Sequence, residues 1–135
     1  MNKKTMKKTI LIVDDDETVR YTVKAGLETY GDEFNVITAE NGKQCLELLP
    51  TIEQPDLILL DVMMPEMTGW ETFDKIRDEE KWRHIPIIFL TARTDQVAKT
   101  AGRFLANDYI EKPCKIPELK QRILHQLDHK EKKTL

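Results

Sequence analysis
The chain is poor in what many protein chemistries require. Its two cysteines, Cys45 and Cys114, lie far apart with no CxxC or Cys/His spacing. That excludes the usual zinc and disulfide frameworks and fits free thiols in a reducing cytosol. Lys plus Arg number 21 against Asp plus Glu 24, a formal charge of -3, so no global positive field is available to hold nucleic acid. No apolar run approaches membrane length, and no membrane association is expected. The amino end, Met1-Asn2-Lys3-Lys4-Thr5-Met6-Lys7-Lys8, starts positive like a signal peptide, but only a short apolar stretch follows before three aspartates, which is no export signal. There is no glycine-rich phosphate loop, and no Ser/His or Cys/His pair is placed to make a nucleophile. Internal repeats and low-complexity linkers are absent as well. At 135 residues the chain is one domain with one core.

What is present is an alternation of short apolar runs with amphipathic stretches, repeated about five times. The runs are continuously apolar, as parallel strands covered on both faces must be, whereas a half-exposed antiparallel sheet would alternate. A first helix is expected from Asp16 to Tyr30, with Val19, Val23, Leu27 and Tyr30 at helical spacing and Gly31 as its stop. Phe34 to Ala39 reads as the second strand. Asn41-Gly42 turns into a helix carrying Cys45, Leu46 and Leu49, and Pro50 and Pro55 punctuate the way to the third strand. Trp70, Phe73 and Ile76 form the stripe of a third helix, residues 96–105 read as a fourth, and Pro117 opens a last one with the stripe Leu119, Ile123, Leu124 and Leu127. Trp82, like Trp70, is expected to pack. Right-handed crossovers then allow one economical fold, an α/β doubly wound three-layer αβα sandwich on a five-stranded parallel sheet.

Five polar residues stand just past the ends of four of these runs. Asp14 and Asp15 follow Ile10-Leu11-Ile12-Val13, Asp61 follows Leu57-Ile58-Leu59-Leu60, Thr91 follows Ile87-Ile88-Phe89-Leu90, and Lys112 follows Tyr109-Ile110-Glu111. In an open parallel sheet all five emerge at the carboxyl edge, where such folds place their ligands. Three carboxylates in one crevice raise one another's pKa unless a cation joins them, and magnesium suits a few carboxylates completed by a carbonyl, waters and a phosphate oxygen. Lys112 offers a point charge and Thr91 a hydroxyl to phosphoryl oxygens. With no other nucleophile available, one carboxylate must serve, and Asp61 is the best placed. Taken singly, the aspartates at 14–16 could be a helix cap, a role assigned here to Asp16, and Asp61 a turn residue before Pro65.

Ile12-Val13-Asp14-Asp15, the stretch from Leu60-Asp61 through Met64-Pro65-Glu66-Met67-Thr68-Gly69, Leu90-Thr91-Ala92, and Asp108-Tyr109-Ile110-Glu111-Lys112-Pro113 together resemble the receiver domain of two-component response regulators. The resemblance runs from about Lys8 to Asp128. It implies a flavodoxin-like strand order 2-1-3-4-5 and a phosphoryl group taken onto Asp61 from a sensor histidine kinase or a histidine phosphotransfer protein. It further implies Mg2+ held by the side chains of Asp15 and Asp61, by the Met63 carbonyl, and by Asp14 chiefly through water. Thr91 and Lys112 would bind phosphoryl oxygens, Tyr109 would be the aromatic switch, and Lys112-Pro113 a cis peptide. Such a module is a cytoplasmic signalling switch rather than an enzyme, assisting only its own phosphorylation and dephosphorylation. Its output partner is a second copy of the chain or a downstream protein, bound in the phosphorylated form.

Two residues depart from that family's pattern: Leu105 stands where Gly is common, and Cys114 where Phe is common. The expected organisation is an extended or disordered stretch over 1–7, the receiver domain over 8–128, and a solvated tail over 129–135 that is too short for a further domain. The competing reading is a haloacid-dehalogenase-like phosphatase. Asp14-Asp15-Asp16-Glu17-Thr18 fits its D-x-D-x-T pattern, with Asp14 as nucleophile and Asp16 as acid/base, but that reading leaves the Asp61 loop without a role.

Overall fold
A computed structural model of the chain describes residues 7–92 and 107–134. The expected helix at 96–105, with Leu105, lies outside the described residues, as does most of the stretch 1–7. The described elements are β1 (Lys8–Val13), α1 (Glu17–Glu28), β2 (Phe34–Ala39), α2 (Gly42–Leu48), β3 (Leu57–Asp61), α3 (Gly69–Asp78), β4 (Ile87–Thr91), β5 (Asp108–Glu111) and α4 (Ile116–Thr134). All strand pairs are parallel, and the sheet order is β2-β1-β3-β4-β5.

Continuous apolarity has a direct consequence, because successive side chains of a strand point to opposite faces. Ile10, Ile12, Leu57, Leu59, Ile88 and Leu90 feed one core, which α1 and α4 cover with Val23, Leu27, Leu119 and Ile123. Their neighbours Leu11, Val13, Ile58, Leu60, Ile87 and Phe89 feed the other, covered by Cys45 of α2 and by Phe73 and Ile76 of α3. Fully burying one such side chain contributes roughly 1.5–3 kcal/mol, so the two cores fix the sheet between its helical layers. Trp70 and Trp82 both pack against the second core. No described helix is long and apolar enough to cross a membrane.

The last helix departs from expectation twice. Leu124 is not part of its buried stripe; it is 42% exposed, while Gln126 is buried. At about 100° per residue, Leu124 lies roughly 140° round the helix from Leu119, and Gln126 only about 20° from it. The helix also continues through the expected tail as far as Thr134, since Lys and Glu are good helix formers and nothing in Lys130-Glu131-Lys132-Lys133 stops it.

Candidate functional site
Register brings the four segments to one edge. Val13 pairs with Leu60, Asp61 with Leu90, and Thr91 with Glu111, so Asp14, Asp61, Thr91 and Lys112 all sit at the carboxyl ends of adjacent strands. Asp14, Asp61 and Thr91 are buried, whereas Asp15 is exposed.

The loops hold this arrangement through backbone bonds. Asp14 N–H donates to the Ala39 carbonyl at 3.2 Å, and Asp14 Oδ1 accepts the Asp16 N–H at 2.9 Å. Asp16 caps α1, its Oδ1 accepting from Thr18 N–H at 2.8 Å and Val19 N–H at 3.4 Å. Beyond β3, Val62 N–H donates to Leu90 and Gly69 N–H to Val62, at 3.1 and 2.8 Å, which closes the loop through Pro65. Glu66 takes a positive φ of 68° within it. Thr68 and Glu71 then start α3 with a reciprocal capping box. Gly69 has a steric reason: a Cβ there would strike the Asp61 carbonyl oxygen and come within 2.8 Å of Val62 Cα. Lys112 N–H donates to the Thr91 carbonyl at 2.6 Å, and the Lys112-Pro113 peptide is cis.

Lys112 Nζ stands 2.9 Å from Asp14 Oδ2 and 3.4 Å from Asp61 Oδ1. Burial alone would lower its pKa, but the hydrogen bond and charge of Asp14, with Asp61 behind it, hold it above its ordinary value. For Asp61 the balance goes the other way. Burial, then the Asp14 charge, pushes its carboxyl up to about 7 against the opposing pull of Lys112. Single carboxylate oxygens of Asp14, Asp15 and Asp61 lie within 4.8 Å of one another. Three hard oxygen donors beside one lysine fit a divalent cation such as magnesium, which takes few protein ligands and leaves positions for water and substrate oxygen.

Met63, two residues past Asp61, is 70% exposed. Tyr109 lies in β5 opposite Phe89 and packs half-buried against the second core. Sequence reasoning passed over Arg20, whose Nη1 donates to the Asp14 carbonyl at 2.8 Å; its only signal is a position one turn into the helix that follows the aspartates. It also passed over the paired contacts of Arg122 Nε and Nη2 with Asp108, at 2.9 and 2.7 Å, since residues 14 apart on different elements carry no mutual pattern.

Residues 10–124 match the family model of the response regulator receiver domain. The chain is 43% identical over 115 residues to the transcriptional regulatory protein CpxR of Escherichia coli K12, covering 84% of this chain and 47% of CpxR. It is 39% identical over 125 residues to histidine kinase P4 of Formosa agariphila, covering 92% of this chain and 9% of that protein. Among solved structures it is similar to the chemotaxis protein CheY4 of Vibrio cholerae, with a TM-score of 0.78 and 29% identity over 88% of this chain and 98% of that one. The chain therefore spans about half the length of one of these curated relatives and a small fraction of the other.

Proposed function
The chain belongs to the response regulator receiver domains of two-component systems, and from that premise we propose that it takes a phosphoryl group onto Asp61 and switches a protein-binding surface. The observation that carries the reading is the placement of Lys112 Nζ between Asp14 and Asp61, 2.9 and 3.4 Å away, at the mouth of a three-carboxylate cluster. The donor is a phosphohistidine on a sensor histidine kinase or phosphotransfer protein. An Asp61 oxygen attacks phosphorus, the O–P bond forms as the P–N bond breaks, and the imidazole leaves with the bonding pair and gains a proton.

Each side chain has a task in that step. Lys112 offsets charge on the transferring oxygens, and the Thr91 hydroxyl donates to one of them. Asp15 and Asp61 directly, the Met63 carbonyl, and Asp14 chiefly through water would hold Mg2+. When bound, the ion supplies charge that keeps Asp61 ionised and neutralises phosphoryl oxygens. Thr91, once drawn to the phosphoryl group, leaves space for the Tyr109 ring to turn inward, and this is the route by which a second copy or a downstream protein would sense the modification. The domain is a binding switch rather than an enzyme with an external product. Two free cysteines fit a reducing compartment and support a cytoplasmic location. The phosphatase reading finds its acid/base candidate, Asp16, engaged in capping α1.

The test is exposure to acetyl phosphate with magnesium, followed by borohydride reduction and peptide mass mapping. Label on Asp61, abolished in Asp61→Asn, is the expected result. Label on Asp14, or full labelling of Asp61→Asn, overturns the assignment.

A further inference from the structure
At the edge of the sheet opposite Asp61 lies a second cleft with no part in this chemistry. Arg77 at the end of α3, Arg83 and His84 before β4, Asn107 before β5, and Gln126 and His129 on α4 enclose about 260 Å3. That is several times the roughly 30 Å3 of one water and short of the roughly 300–1,000 Å3 of sites for drug-sized ligands, so the size selects a small molecule. No described residue lining it is acidic.

The two arginines are held in place with donors to spare. Arg77 lies over the Phe73 ring, 4.8 Å from its centroid, and Nη1 donates to the Trp82 carbonyl at a long 3.4 Å. Arg83 Nε donates to the Arg77 carbonyl at 3.0 Å. These bonds occupy carbonyls near the end of α3, but they leave both terminal nitrogens of Arg83 and one of Arg77 without a protein acceptor among the described residues. Neither arginine has a carboxylate partner among the described residues. Burial also holds the Arg77 guanidinium below its ordinary pKa, as expected of a partly desolvated cation lacking a counter-charge. The floor is rigid: Asn107 Oδ1 accepts the Ile87 N–H at 2.8 Å, and the buried Gln126 donates through Nε2 to the Asn107 carbonyl at 3.3 Å.

We propose that this cleft binds a small phosphate-bearing anion, clasped by Arg77 and Arg83, as a second input at the edge of the sheet opposite the phosphorylation site. Planar guanidinium forks match tetrahedral phosphate oxygens, and charge-assisted bonds of this kind are the strong ones.

The test is an NMR titration of the full chain without magnesium, read at the side-chain amides of Asn107 and Gln126, with ionic strength held constant by sodium chloride. Inorganic phosphate and ribose 5-phosphate are the two probes, and tighter binding of one identifies free phosphate or a phosphate monoester as the natural source. Saturable shifts with either probe are expected, weakened about tenfold in Arg83→Gln, which removes one charge-assisted contact. Arg83 is exposed, so that variant keeps the fold, and Arg77→Gln gives a second reading. Shifts that grow linearly, that chloride alone reproduces, or that persist unchanged in both variants overturn the proposal.

Discussion
Lys112 Nζ is nearer to Asp14, at 2.9 Å, than to Asp61, at 3.4 Å. The lysine is thus tethered by a carboxylate outside the proposed acceptor, and Asp61 keeps the weaker share of its charge. A buried acid beside a like charge, with its counter-charge shared with that neighbour, holds its proton unusually well, and this has measurable consequences.

The first concerns stability against pH. With its carboxyl pushed up to about 7 from 3.8, native Asp61 retains, between about pH 4 and 7, a proton that the unfolded chain has already given up. The native state then binds more protons than the unfolded one, so stability falls as pH rises through that window. In metal-free buffer Asp61→Asn should be the more stable form at pH 8, by up to about 4 kcal/mol, and the advantage should vanish near pH 4. Urea unfolding in chelator across that range measures it; parallel profiles for both proteins would contradict the buried, like-charged setting of Asp61.

Magnesium should relieve the same penalty. Titration calorimetry should show Mg2+ binding weakly alone and more tightly with beryllofluoride, because a phosphoryl-like group completes the coordination shell. Asp15→Ala should weaken the metal by about tenfold or more and remove most of the coupling. Unchanged affinity in that variant would show that Asp15 is not a ligand.

Gly69→Ala tests the approach of α3 to the site. The added methyl meets the backbone of Asp61 and Val62 rather than a movable side chain, so the start of α3 or the end of β3 must shift. Destabilisation of about 1–3 kcal/mol is expected, together with slower labelling of Asp61 by acetyl phosphate. A variant with native stability and native labelling would mean that the loop yields freely.

The cysteines should differ in reactivity. Burial pushes the Cys45 thiol up to about 12, whereas Cys114 is only partly covered. A thiol reagent at pH 8 should modify Cys114 in the native protein and Cys45 only on unfolding. Equal rates at both positions in native buffer would count against the packing of α2.

By itself the sequence determined the strands, their parallel pairing and the residues that end them, because two-sided burial demands unbroken apolar runs such as Leu57 to Leu60 and the polar residue after each run has one edge to occupy. It also marked Asp16 as the cap of α1. Tertiary structure decided what periodicity leaves open. Leu124 faces out and Gln126 in because a helix buries only the arc that its neighbours cover. Arg20 reaches the Asp14 carbonyl, Arg122 meets Asp108, and Gly69 admits the Asp61 backbone because each helix is packed back onto the strand beside it, a relation between two elements that the periodicity of neither one records. The sharing of Lys112 between two aspartates is of the same kind: a difference of half an ångström between 2.9 and 3.4 Å depends on how β1, β3 and β5 settle against one another, and no spacing along the chain records it.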